Sequence, residues 1–168
     1  MSTRPLYLQW PSLGFGDPRE LYRSMQNKAF LGRMHAFLSG RSRTLRDLAT
    51  EVSERKIRSQ HYAGSRTVPI HRIKGSEGRS EDFDCDFNPT SSRTAERWVN
   101  IAVARGCGDT LPLVELIQLG EDYFVRDGHH RISVARAFSE DYIDAVVIVL
   151  ELEPVSVPQP KLIAANVL

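Results

Sequence analysis

The sequence predicts an α+β fold, a small mixed sheet with packed helices, preceded by a helical hairpin. Three observations carry that reading. Leu113 to Leu119 and Tyr123 to Arg126 read as two strands joined by a tight turn at Gly120-Glu121. Ser92 to Arg105 and His129 to Phe138 place apolar residues at helical spacing. Ala145 to Leu150 is one continuous apolar run, as expected of a central strand buried on both faces.

In chain order, residues 1–16 are aromatic and punctuated by Pro and Gly without a period, and read as an extended arm. Asp17-Pro18 opens a helix, with Asp as the cap and Pro in the first turn. Leu21, Met25, Ala29, Met34, Phe37 and Leu38 give it an apolar stripe, and Gly40 ends it. Thr44 and Asp47 resemble a capping box for a second helix, along which Leu45, Leu48, Ala49 and Val52 recur at helical spacing. Together these predict a basic helical hairpin over 17–63. Val68 to Ile73 reads as a strand that Pro69 places at an edge, opening an α+β domain over 64–153. Gly75 to Arg79 is a loop, Ser80 to Asn88 an acidic segment, and 154–168 a Pro-containing tail suited to a docked arm or an oligomer contact such as a homodimer.

The chain has 168 residues, of which 41% are hydrophobic and 26% charged, enough for a real core on a soluble surface. No run is long enough to span a membrane and no secretory leader opens the sequence, so a cytoplasmic protein with no membrane partner is expected. Cys85 and Cys107 form no paired motif and predict neither a disulfide framework nor a zinc knuckle. The net charge of +1 conceals two opposed halves. Residues 17–79 hold 14 Lys/Arg against 6 Asp/Glu, and residues 80–168 hold 7 against 15. Either the halves neutralise one another, or the basic one meets an acidic partner or nucleic acid, the latter through Arg41, Arg43, Arg46, Arg55, Lys56 and Arg58.

Chemistry concentrates in Asp127-Gly128-His129-His130-Arg131, where a strand turns into a helix. Glycine permits a tight turn and close approach to a ligand. The free N–H groups of a first helical turn form an anion site, to which Arg131 adds a planar fork. This is the pattern of a phosphate-binding turn. The alternating Asp82, Asp84 and Asp86 fail the calcium-loop pattern and read as a solvated acidic face or as partners for the basic segment. Trp98 reads as core, and Tyr22, Met25, Phe30, Met34 and Phe37 as core or interface.

Residues 68–150 resemble the ParB/sulfiredoxin-like superfamily. The shared order is strand, polar box, helix, Gly-x-x-Leu-Pro-x-Val (Gly108 to Val114), hairpin, Asp-Gly-His-His-Arg turn, helix and closing strand. The resemblance implies a nucleotide phosphate cradle made by Gly128, His129, His130 and Arg131, with Arg79 as a second cation. It implies catalytic roles for Glu77, His130 and Asp127, and a nucleoside di- or triphosphate with Mg²⁺ as cofactor. His129 stands where sulfiredoxins carry their nucleophilic cysteine, so sulfinic acid reduction is not expected. His129 also replaces the glutamate of the CTP-hydrolysing ParB clamps, while free-serine kinases of the superfamily resemble this turn more closely. The expectation is therefore a nucleotide- or phosphate-binding domain with phosphotransferase or NTP-hydrolase activity. The alternatives are a non-catalytic DNA-binding or regulatory adaptor and a metal-dependent ParB-like nuclease.

Overall fold

The computed structural model describes residues 16–154. The expected arm before residue 16 and the expected tail after residue 154 lie outside the described residues. Helix α1 spans Pro18–Leu38 and is capped as its sequence predicts: the Asp17 carboxylate accepts the Arg19 N–H at 2.9 Å. At its other end Gly40 takes a left-handed φ of +65°, and the Arg41 N–H reaches back to the Ala36 carbonyl.

The second half of the expected hairpin does not form. Only Leu48–Val52 is helical (α2), capped by Asp47, whose carboxylate accepts the Thr50 N–H at 3.1 Å. Thr44 is not a cap; it pairs in a β-bridge with Asp84. Arg46–Asp47 forms a two-residue strand, β1, and Leu45 is buried in the main core. Beyond a polar turn the chain becomes β2, Ile57–Pro69, a strand of 13 residues. The boundary drawn after residue 63 therefore cuts through one strand of a single sheet. The physical reason is that β2 lies at the sheet edge and is largely polar and exposed, so it carries no alternating apolar pattern. Pro69 terminates it, as an edge position allows.

A 3-10 turn at Ile70–Arg72 leads into β3 (Ile73–Ser76). After the acidic segment comes α3 (Ala95–Gly106), then the expected hairpin of β4 (Val114–Leu119) and β5 (Asp122–Asp127). Helix α4 (His129–Ala137) and strand β6 (Tyr142–Leu152) complete the described chain. The six strands form one mixed sheet in the order β1-β3-β5-β4-β6-β2, so the protein is α+β, with six strands and four α-helices among the described residues. β3 and β5 run parallel, as do β4 and β6; β4 with β5 and β6 with β2 are antiparallel.

Side chains alternate across the sheet. One face sends Val114, Leu116, Val125, Ala145 and Val147 into the main core, where Phe83, Phe87 and Ile132 meet them. The opposite face buries Ile117, Phe124 and Leu150 beneath Leu48 of α2. A third cluster joins three helices through Tyr22, Met25, Trp98, Ala102 and Val134. Trp98 is fully buried and donates its indole N–H to Ser133 Oγ at 2.8 Å, which fixes α3 against α4.

Gly75 sits between β1 and β5 where a Cβ would lie 2.4 Å from both the Arg46 carbonyl oxygen and the Phe124 ring. Gly75→Ala should therefore cost about 2–3 kcal/mol of stability by forced displacement of backbone. Gly120→Ala, with open space around it and a φ of +62°, should cost about 1 kcal/mol. Urea unfolding of both variants checks the pair, and equal losses would contradict the tight packing at Gly75.

Candidate functional site: an arginine-lined cavity at the start of α4

The parallel strands β3 and β5 end side by side, with Ser76 opposite Val125, and the Glu77 N–H continues the pairing to the Val125 carbonyl. Beyond the carboxyl ends of such strands open α/β sheets place their ligands. Here β5 turns into α4 through Gly128, which caps the helix with a φ of +100°. A Cβ at this position would lie 2.5 Å from Val114 Cγ1, so both the conformation and the space demand glycine. The first-turn N–H groups of α4 thus stand at a bend held against β4.

A cavity of about 130 Å³ opens at this bend, lined by Arg79, Arg97, Arg126, Arg131, Ile101 and the run Asp127 to His130. Four arginines from four different segments surround it, together with the positive end of α4. Two are answered by carboxylates. Arg126 Nε donates to Glu77 Oε2 at 2.7 Å, and Arg131 pairs with Asp127 one helical turn away. Arg79 lies a distant 3.9 Å from Asp82. The Arg97 side chain has no ion pair or hydrogen bond among the described residues.

The two histidines form the cavity's inner wall. His129 Nε2 lies 2.7 Å from Ser76 Oγ, which also accepts the Arg79 N–H at 3.0 Å. That suits a neutral imidazole carrying its proton on Nδ1, with Ser76 donating to Nε2. His130 is only 4% exposed, yet neither of its ring nitrogens has a partner among the described residues. Phe83 stacks on His129 at 6.0 Å between centroids and meets His130 edge-on at 5.2 Å. Burial pushes both imidazoles down to about 4, helped at His129 by Arg79 and then His130, and at His130 by Arg97 and then Arg79. Both rings are neutral at physiological pH.

The fold brings together every residue expected at the site, though not in every expected role. Glu77, Arg79, Asp127, Gly128, His129, His130 and Arg131 all gather at one end of the sheet. Arg131 does not present a free fork: its Nη1 donates to the Pro112 and Leu113 carbonyls at 2.6 and 2.7 Å and its Nη2 to Asp127. It latches the 112–113 segment to the turn, so it positions the site more than it offers donors to a ligand. Gly128 caps α4, and Asp127 faces Arg131 rather than lying open for a catalytic role. Glu77 is held by Arg126 rather than lying open as a base or metal ligand.

Sequence reasoning missed Arg97, Arg126 and Ser76. Arg126 abuts the motif and could have been included by proximity. Arg97 lies 30 residues upstream of Asp127, and only the burial of Trp98 beside it determines which face of α3 turns to the cavity.

Elsewhere the basic and acidic segments meet within the fold. Arg43 pairs with Asp86 and lies 3.5 Å from buried Asp84; Arg46 binds Glu51 and Asp122. Asp84 also accepts the Asn88 and Asp86 N–H groups and the Asn88 amide, so its carboxylate is spent internally. Among the described residues no group of three His, Cys, Asp or Glu side chains is placed to hold a metal ion, and no helix is long and apolar enough to cross a membrane. Comparisons of the chain with family models, curated proteins and solved structures return no match.

The lowered imidazoles predict a pH dependence whose sign follows from linkage. An unfolded histidine titrates near 6.5 and a folded one here near 4, so stability is complete above 6.5 and is lost as pH falls towards 4. The loss should be about 1 kcal/mol per histidine per pH unit across that window. Chemical unfolding at pH 7.5, 6 and 5 measures it, and His130→Asn should flatten the slope by roughly half. An unchanged slope in that variant would contradict the buried neutral ring.

Proposed function

We propose that this protein binds the phosphate end of a nucleoside di- or triphosphate at the start of α4, in the manner of the ParB/sulfiredoxin-like superfamily that its Asp-Gly-His-His-Arg turn resembles. The observation that carries the reading is the buried His130 imidazole, without a partner on either nitrogen among the described residues, in a cavity also lined by Arg79, Arg97 and Arg126. A buried polar group without a partner is costly, and an entering phosphate oxygen would accept its N–H. Arg97 and Arg79 would supply charge-assisted bonds, and the first-turn amides of α4 would add theirs. At about 130 Å³ the cavity suits a phosphoryl group and is far smaller than the pockets that enclose whole ligands. Base and ribose would therefore lie outside it.

Glu77 sets the route to phosphotransfer or hydrolysis. Its carboxylate lies one hydrogen bond from Arg126, which also lines the cavity. Arg126 turning to a bound phosphate would free Glu77 to accept a proton from an attacking hydroxyl or water. Mg²⁺ would enter with the nucleotide, held mainly by phosphate oxygens and water. The adaptor and nuclease readings have less support. The hairpin on which DNA binding rested is not formed, two of its arginines are answered by carboxylates, and Asp84 is committed to the fold.

Thermal melting with pyrophosphate, ADP, ATP, CTP and GTP, each with Mg²⁺, tests the binding. A ligand at a hundred times its Kd should raise the midpoint by roughly 5–10 °C. Arg97→Ala should weaken that ligand about tenfold or more while leaving the free protein's midpoint in place, since Arg97 is exposed. If no phosphate ligand shifts the wild type, or if Arg97→Ala binds as tightly, the reading fails.

A further inference from the structure

The outer face of α1 is used neither by the core nor by the cavity. The helix buries Tyr22, Met25, Ala29 and Ala36 against the body. Phe30, Leu31, Met34, Phe37 and Leu38 instead stand at 58, 58, 50, 86 and 80% exposure. With 3.6 residues per turn these five fall within an arc of about 120°, on the far side from the buried four. Phe30, Met34 and Phe37 are spaced i, i+4, i+7, and Leu31, Met34 and Leu38 i, i+3, i+7, the spacings by which one helix packs along another. Single exposed apolar side chains are ordinary; five side by side are not.

Charge selects the occupant. From Leu21 to Arg46 the chain contains no Asp or Glu. Lys28, Arg33 and Arg41 are exposed and form no ion pair among the described residues. On the helical wheel Arg33 borders the apolar arc on one side and Lys28 on the other. A second copy of this chain on the same face would set like charges edge to edge, which opposes pairing. A nucleic-acid strand would satisfy the cations but leave five apolar groups against phosphates and water. We propose that the Phe30–Leu38 face of α1 docks an acidic amphipathic helix of another protein, its apolar seam on these five residues and its carboxylates opposite Lys28, Arg33 and Arg41. The seam is about 12 Å long, so the contact is small and micromolar in strength.

Fluorescence anisotropy of a labelled synthetic helix tests this with the full chain. The probe is a three-heptad peptide with Leu at its seam and Glu on both flanks, and its control carries Lys in place of Glu. Micromolar binding of the Glu peptide is expected, at least tenfold weaker for the Lys peptide and weakening as salt rises through the range that screens surface charge. The double variant F37S/L38S should melt as wild type does, both side chains being exposed, yet bind the Glu peptide at least tenfold less tightly. Equal affinity for both peptides, undiminished binding by F37S/L38S, or no binding at all would overturn the proposal. So would light scattering that shows the chain dimeric and F37S/L38S monomeric. Tighter association of the wild type with phosphatidylcholine vesicles containing phosphatidylglycerol than with the Glu peptide would overturn it as well.

Discussion

The packing of Gly128 on Val114 is the constraint on which the rest of this structure depends. A left-handed residue without a Cβ lets β5 turn at once into α4 while the bend rests on β4. That single contact sets where α4 begins. It thereby sets where Ser133 meets the Trp98 indole, where His129 meets Ser76, and where the Arg131 guanidinium finds the 112–113 carbonyls. The same turn that opens an anion site also determines how α3 and, through Tyr22 and Trp98, α1 sit on the body.

Around that turn the protein balances charge against desolvation. Two of the four arginines at the cavity are neutralised by Glu77 and Asp127, which lessens their mutual repulsion while leaving the region positive. The histidines are kept neutral by burial and by neighbouring guanidinium groups. In that state they add no further positive charge, and His129 pairs with the Ser76 hydroxyl. Arg136 shows the same economy away from the cavity: it is buried enough to lower its basicity, donates to the Ile70 and Ile73 carbonyls and lies over the Phe87 ring. Arginine thus serves here as a structural tie as often as a surface charge.

Helix α1 carries two apolar faces, and they have different consequences. The face with Tyr22 and Met25 completes the three-helix cluster, and the Tyr22 hydroxyl donates to the Ser91 carbonyl at 2.6 Å. The face from Phe30 to Leu38 contributes nothing to that cluster. Hydrophobic burial is proportional to area removed from water and is indifferent to which partner removes it. A sequence stripe therefore marks both faces alike, and only their placement on the body separates core from contact surface.

Local chemistry made much of the chain legible in advance. Asp17-Pro18 and Gly40 bound α1, Gly120-Glu121 turns the β4–β5 hairpin, and Gly128 opens α4, because caps and turns depend on a few neighbouring residues. The Asp-Gly-His-His-Arg segment was legible for the same reason. What depends on distant partners was not. The β2 strand is polar and pairs with β6, nearly a hundred residues away in places, so before Val68 its own pattern gave no sign of a strand. Asp47, not Thr44, caps α2 because β1 pairing with Gly75 and Ser76 fixes the entry of that helix. Arg97 enters the cavity, and Arg131 is drawn from it to the 112–113 carbonyls, through contacts between segments that no spacing along the chain encodes. Sequence determines the conformations that short-range sterics and hydrogen bonds settle. The tertiary structure decides which charges meet, because that follows from chain closure over long separations.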